Sequence, residues 1–356
     1  VQATDDMVTG KEAWYASTCR ECPAGCGVLA KNREGRVIKL EGNGRHPVNR
    51  GGLCIRGQAA LQGLYNPDRL KMPQLKTEGG WQEIPFDEAQ ALIRKRIVAA
   101  ANRGSGRIVM VTETVGQTQL DLFTTVMRQF DSSPPVVFEP LAYEALKFAH
   151  QEILGNASLP VLHMEQADVL VGFGADFLET WLSPVEYARK FKAMHLLSQN
   201  GKGVFIQVSP FQSLTGANAD RWIGCRPGTE AAVIMGLIRM ITNDESGRKI
   251  NRDVSRALAE LTPAYTPEAV AGMSGVSIED QATIARQLIA AKRPLVLGPG
   301  TGSESGHAAA AELAALFLNL TLDPELSLFD RSHRHRVEIA DRRSKILETF
   351  DTMDQK

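Results

Sequence analysis

The sequence predicts an α/β protein preceded by a small, irregular, cysteine-bearing segment. Three observations carry this. From Trp81 onward, short continuous apolar runs alternate with helical stretches, the pattern of parallel strands covered on both faces. The first 75 residues break that pattern, being rich in Gly, Pro and Arg and poor in long periodic runs. Four of the five cysteines lie within the first 54 residues.

The elements follow in order. Gly27–Lys31 and Arg36–Leu40 read as strands around the turn Asn32-Arg33-Glu34-Gly35, with Gly closing the turn. Gln58–Tyr65 is a short helix stopped by Asn66-Pro67. Phe86–Arg103 is a helix with Leu92, Ile93, Ile97 and Val98 on one face, and Ile108–Val111 is a buried strand. A helix over Gln117–Phe130, a strand at Val136–Glu139 and a helix over Leu141–Leu154 come next.

The second half repeats the grammar. Asp168–Gly172 is a strand ending in Gly172-Phe173-Gly174, and Ser183-Pro184 opens a helix with a cap residue and Pro at its first position. Val204–Val208 is a strand, and Gly228–Thr242 and Glu279–Ala291 are helices. Pro294–Leu297 runs into Gly298-Pro299-Gly300-Thr301-Gly302, followed by a helix over Ser305–Leu320. Ser332-His333-Arg334-His335-Arg336 and Arg342-Arg343-Ser344-Lys345 place basic residues on a terminal helix, either a solvated face or a docking surface.

Bulk properties narrow the function. The 356 residues are 43% hydrophobic and 23% charged, ordinary globular values, and a net charge of −1 gives no reason to expect a nucleic-acid partner. No apolar run reaches the roughly 18–20 residues of a membrane span. The longest, Ala308–Leu318, contains Glu312 and reads as a buried helix. The chain opens Val1-Gln2-Ala3-Thr4, without an initiator Met or a basic-then-apolar leader, as either a processed protein or a trimmed chain would.

The strongest signal is Cys19-x2-Cys22-x3-Cys26 followed by x27 and Cys54. A cubane cluster needs four thiolates at tetrahedrally disposed corners; a short loop supplies three and a distant segment closes the fourth. Gly25, Gly27, Gly51 and Gly52 relieve crowding beside these cysteines. Structural zinc is the rival, but it usually pairs two knuckles of two cysteines each, whereas here the division is three and one. Disulfides are the third reading. Cys225 stands alone in Trp222-Ile223-Gly224-Cys225-Arg226 and reads as a buried apolar residue.

Other signals are weaker. Gly172-x-Gly174 and Gly298-x-Gly300-x-Gly302 follow strands, where nucleotides bind in doubly wound sheets, but such loops also serve as plain strand-to-helix turns. The seven histidines show no ligand spacing beyond His333 and His335 in the tail, and no serine nucleophile elbow is present.

Cys19–Cys54 in this spacing, then Cys54-Ile55-Arg56-Gly57 and Tyr65-Asn66-Pro67-Asp68-Arg69-Leu70, resembles the N-terminal part of molybdopterin oxidoreductase large subunits. Gly174-Ala175-Asp176-Phe177-Leu178-Glu179, Ala219-Asp220-Arg221-Trp222 and Arg226-Pro227-Gly228-Thr229-Glu230 extend the resemblance over roughly residues 15–320. It implies an iron–sulfur domain and two interleaved α/β domains. The expected division is 1–75 for the cluster, 76–135 with 292–330 for the first α/β domain, 136–291 for the inserted one, and 331–356 as a basic tail. It implies a [4Fe–4S] cluster on Cys19, Cys22, Cys26 and Cys54. Arg56 holds the position that lies between cluster and pterin in the family.

The sequence also departs from the family. Catalytic members place Cys, selenocysteine, Ser or Asp as molybdenum ligand shortly after the strand matched here by Val136–Glu139. This chain has Glu139-Pro140-Leu141-Ala142-Tyr143-Glu144 instead. Ser209-Pro210-Phe211 replaces an acidic residue and an Arg near the guanine of the cofactor, and the chain ends before the family's C-terminal domain. Molybdenum and molybdopterin are therefore expected to be absent.

Trp14-Tyr15-Ala16-Ser17-Thr18 and Ser213–Asp220 resemble the molybdenum-free homologues of alternative complex III and a related periplasmic quinone reductase complex. That resemblance implies a ferredoxin-like subunit, a multihaem cytochrome c and a quinone-binding membrane subunit as partners, the exoplasmic face of a bacterial membrane, and a removed twin-arginine signal. The leading expectation is an electron-transfer and scaffold subunit without its own active site. The N-terminal part of a catalytic molybdoenzyme completed by another chain, and a purely structural subunit, remain alternatives.

Overall fold

The computed structural model describes residues 8–197, 201–244, 256, 258, 260–300 and 306–354. They form two units. The described residues within 8–46, 53–142 and 339–354 make up the first, and those within 47–52 and 143–338 the second.

The first unit opens with an antiparallel sheet of β1 (Glu12–Thr18), β2 (Gly27–Arg33) and β3 (Arg36–Gly42). Glu34 and Gly35 both take positive φ in the β2–β3 turn, the pair of left-handed residues that matches strand twist. The Gly35 amide donates to Asn32 Oδ1 at 3.0 Å, so the expected hairpin forms. β1 has no clean apolar alternation, with Trp14 and Tyr15 both exposed, and only its pairing with β2 makes it a strand.

Next come α1 (Ile55–Leu64), the β4 (Gln74–Thr77) and β5 (Gly80–Glu83) hairpin, and α2 (Phe86–Ala101). β6 (Val111–Glu113), α3 (Gln117–Arg128) and β7 (Val136–Phe138) follow, with β6 and β7 parallel. The apolar face expected for α2 is only half covered: Leu92 and Ile97 are partly buried while Ile93 and Val98 are exposed.

The second unit holds α4 (Glu144–Leu154), β8 (Pro160–Leu162), β9 (Val169–Gly172), α5 (Pro184–His195), β10 (Val204–Ser209), α6 (Leu214–Ala217) and β11 (Arg221–Gly224). It continues with α7 (Glu230–Thr242), α8 (Pro267–Ser274), α9 (Ile278–Ala290), β12 (Pro294–Leu297), α10 (Ala308–Leu322) and β13 (Phe329–Arg334). The main sheet runs β11-β10-β9-β12, all parallel, as continuous apolar strands buried on both faces require. Val171, Ile206 and Val296 pack with Ile234, Leu237, Ile238 and Leu288 in one core. Elsewhere Phe177, Phe191 and Phe205 cluster with ring centroids 5.3–5.4 Å apart.

Three expectations are corrected. The expected division puts residues 292–330 in the first α/β domain, but β12 pairs with β9 and belongs to the second unit's sheet. Residues 136–142 were expected to open the inserted domain, yet β7 pairs with β6 and belongs to the first unit. The basic segment around His333 is not helical: β13 pairs antiparallel with β8, a strand too short to stand out in the sequence. Beyond it, Val337, Ala340 and Ile346 are buried, so the tail does contribute to packing. The chain returns to the first unit at Ile339; Asp341 bonds both ways to Val137 at 2.8 Å, and α11 (Arg343–Asp354) follows. Thr301, Gly302 and Ser305, named in the expected glycine loop and helix start, lie outside the described residues.

Candidate iron–sulfur site

Strand pairing builds the cysteine loop. β1 and β2 end in register at Thr18 and Gly27, so residues 19–26 form the connection between them. The Cys19 amide donates to the Cys26 carbonyl at 2.8 Å and closes the base of the loop. Gly25 takes φ +61°, which a side chain rarely tolerates, and turns the chain so that Cys26 can follow. Gly27 is needed for a different reason: a Cβ there would lie 2.5 Å from His46 Cγ.

The fourth thiol arrives from a helix start. Cys54 is the residue before α1, in extended conformation, and its carbonyl accepts the Gln58 amide at 3.0 Å. A helix N-terminus favours anionic sulfur. Gly57, in the first turn, is buried, and a Cβ on it would stand 3.5 Å from Cys19 Sγ. The helix start and the loop thus meet at Cys19, and the sequence-distant Cys54 joins the other three.

Their electrostatics show that they share one environment. Burial raises the Cys26 thiol to about 12, and Cys22, Cys19 and Cys54 push it the same way. Burial also raises Cys19 and Cys22, opposed by the backbone amides of Glu21 and Ala24 respectively. Such amides favour the thiolate, and bound iron holds thiols of this kind deprotonated. Arg56 lowers the Cys22 pKa while Glu139 raises it, so opposite charges flank that thiol. The donor set, thiols alone with amides turned toward sulfur, fits an iron–sulfur cluster. All five cysteines are free thiols. Among the described residues, no group of three or more His, Cys, Asp or Glu is arranged around one metal ion, these four included. A cubane offers four separate iron corners to its thiolates, a wider set than a mononuclear site.

In the second unit, the glycine loops beyond the sheet bond largely among themselves. Gly174, at φ +99°, approaches Pro299, and a Cβ on it would be 3.4 Å from the Pro299 carbonyl oxygen. The Asp176 carbonyl accepts the amides of Glu179, Thr180 and Trp181 at 2.9–3.1 Å, and its carboxylate accepts the Thr215 hydroxyl. Ser209 Oγ accepts Trp222 Nε1 at 3.0 Å and donates to the Phe211 carbonyl at 2.7 Å. Gly174 therefore serves as a turn packed against Pro299. Asp176 and Thr215 escaped sequence reasoning because they lie 39 residues apart.

Comparison with known proteins agrees with this geometry. Residues 12–66 match the molybdopterin oxidoreductase Fe4S4 domain. The chain is 27% identical over 316 residues to the menaquinone reductase, molybdopterin-binding-like subunit of Nitratidesulfovibrio vulgaris, covering 88% of this chain and 45% of that one. It is 25% identical over 272 residues to the F420-dependent formate dehydrogenase subunit alpha of Methanocaldococcus jannaschii, covering 73% and 38%. Among solved structures, acetylene hydratase from Pelobacter acetylenicus shares the fold with a TM-score of 0.66 at 17% identity, covering 86% of this chain and 43% of that one.

Along most of its length the chain is similar to molybdopterin oxidoreductase subunits.

The Fe4S4-domain match at residues 12–66 supports a [4Fe–4S] cluster over zinc or disulfides. It spans less than half the length of the relatives named above. Glu139 follows β7 in the first unit and its Oε1 accepts the Leu141 amide at 3.3 Å. Glu144 opens α4 in the second unit. Among the described residues, no helix is long and apolar enough to cross a membrane.

Proposed function

We propose that this chain is an electron-transfer and scaffold subunit of a membrane-associated quinone oxidoreductase complex. Cys19, Cys22, Cys26 and Cys54 ligate one [4Fe–4S] cluster, and the chain holds neither molybdenum nor molybdopterin. The observation that carries the reading is the gathering of four thiols, with Cys22 flanked by Arg56 and Glu139. Glu139 accepts a bond from its own loop, in the stretch where catalytic relatives supply a metal ligand. The likeness to a protein named menaquinone reductase, molybdopterin-binding-like subunit, supports the quinone assignment.

In this reading the cluster supplies one-electron storage, and the chain's residues bind it, shield it and set its potential. Amide donors to sulfur and the Arg56 cation favour the reduced, more negative cluster; the Glu139 carboxylate opposes them. The partners are a ferredoxin-like subunit, a multihaem cytochrome c and a quinone-binding membrane subunit, on the exoplasmic face of a bacterial membrane.

A redox titration of the purified complex, with metal and pterin analysis, tests the proposal. Four irons per chain, no molybdenum, and a midpoint that falls in Arg56→Gln but rises in Glu139→Gln are expected. Zinc in place of iron, or a midpoint unmoved by both variants, would overturn the electron-transfer role. Stoichiometric molybdenum with pterin would favour the alternative that this is the N-terminal part of a catalytic molybdoenzyme, which the relatives' greater length also favours.

A further inference from the structure

Inside the second unit, three polar side chains converge on one small cavity. Glu312, Trp181 and His150 are only 2%, 3% and 4% exposed. All three line a cavity of about 40 Å³ whose other walls are mainly apolar, Leu297 and Phe329 among them. A volume of this size admits water, which needs roughly 10–15 Å³. It excludes a substrate-sized ligand, which needs roughly 300 Å³ or more.

Local geometry fixes what each group offers. Glu312 projects from α10, and its carboxyl fills the space that a Cβ would need at Gly298. It accepts the Gly300 amide, and a Cβ on Gly300 would stand 2.7 Å from Trp181 Cδ1, so acid and indole meet at the same glycine. Among the described residues, Glu312 Oε1 and Trp181 Nε1 have no hydrogen-bond partner. Burial raises Glu312 to about 8, so near neutral pH it keeps its proton; with the other oxygen accepting from Gly300, that proton sits on Oε1. Both orphaned groups are then donors, and a direct bond between them would still leave one proton without an acceptor. His150 offers the opposite polarity. Its Nδ1 lies 2.6 Å from the Ser158 carbonyl oxygen, which only accepts, so Nδ1 carries the ring proton. Burial lowers the His150 pKa and keeps the ring neutral, which leaves Nε2 as an acceptor.

We infer that this cavity binds an ordered water molecule, which accepts from Trp181 Nε1 and Glu312 Oε1 and donates to His150 Nε2. Three bonds are what a buried water ordinarily makes, and its two lone pairs match the two orphaned donors. A metal cation is disfavoured, because the indole N–H turns a positive edge to the site and the carboxyl there is protonated. The water ties α10 and α4 to the segment at Trp181, next to the glycine turns at Gly298 and Gly300. The site is independent of the cluster and of the electron-transfer reading.

Magnetic resonance of the full chain, isotope-labelled in its tryptophans, tests this. The Trp181 indole N–H is expected to show a rotating-frame cross-peak to water, of the sign given by dipolar contact and not by proton exchange. Loss of that peak in Trp181→Phe, or backbone-linked assignment if this variant does not fold, identifies it. Glu312→Gln keeps a donor beside the cavity and is expected to retain the cross-peak; Glu312→Leu removes the donor, fills the space and is expected to lose it. A high-resolution crystal structure of the unmutated chain is expected to show one density peak about 3 Å from Trp181 Nε1, Glu312 Oε1 and His150 Nε2. A Trp181 indole without water contact, a direct bond from it to Glu312, or a peak at metal–ligand distances would each overturn the inference.

Discussion

Cys19 and Cys26 are joined through their backbones, not their sulfurs: the Cys19 amide donates to the Cys26 carbonyl at 2.8 Å. This bond continues the β1–β2 ladder by one rung, so the sheet itself sets the spacing of the first and third thiols. Cys54 has no such rung and depends on the start of α1 for its position.

The asymmetry has a consequence for mutants. Cys54→Ser is expected to bleach the cluster or convert it to a three-iron form while leaving the β1–β2–β3 sheet folded. Iron content, electron paramagnetic resonance and far-ultraviolet circular dichroism on one sample check this. A variant with four irons and an unchanged spectrum would remove Cys54 from the ligand set.

Gly27→Ala should harm the site without touching a ligand. The added Cβ would stand 2.5–2.7 Å from three atoms of His46, including its Cβ, so the whole side chain must shift. Overpacking of this kind costs about 1–3 kcal/mol. Denaturant unfolding should show that loss, with faster release of iron; Gly35→Ala, whose Cβ meets no atom within 4 Å but whose φ is +80°, tests backbone strain alone.

Stability should depend on pH through two buried groups of opposite sense. Burial, aided by Lys190, lowers His335 to about 3 from 6.5, so it folds neutral, hydrogen-bonded to the Tyr187 hydroxyl at 2.8 Å. Its contribution is complete above pH 6.5 and is lost as pH falls from 6.5 toward 3. Burial raises Glu312 to about 8 from 4.5, so its contribution is complete below pH 4.5 and is lost as pH rises toward 8. Each window has a slope of about 1.4 kcal/mol per pH unit, and the two slopes oppose where the windows overlap. Urea midpoints are expected to vary little between pH 4.5 and 6.5 and to fall on either side. Glu312→Gln should abolish the alkaline fall and His335→Gln the acid one.

Lys190 is buried, donating to the Leu162 carbonyl at 2.8 Å and pairing with Glu186 at 3.0 Å. Lys190→Ala leaves that carboxylate buried without its cation and should cost about 3–5 kcal/mol. The double variant Lys190→Met with Glu186→Leu should recover most of the loss. Thermal unfolding of the three proteins compares them; equal losses in the single and double variants would show that the pair is not coupled.

The cluster motif, the parallel-strand class, the β2–β3 hairpin and the family resemblance were legible in the sequence because each is a local pattern. Cysteine spacing, apolar runs of strand length and a left-handed turn need no distant partner to be recognised. Partner-dependent features were not. β1 carries no alternation and becomes a strand only against β2. β8 and β13 define each other across more than 160 residues, and β13 looked like part of a helix because its charges obscured any period. Pro294–Leu297 was correctly a strand, but which sheet it joined depended on an edge of β9 that no local pattern encodes. At the site, composition determined the four thiols, whereas folding decided that Arg56 and Glu139, 83 positions apart, flank the same cysteine. Long-range placement is settled by packing and strand pairing, and those energies belong to pairs of segments rather than to either sequence alone.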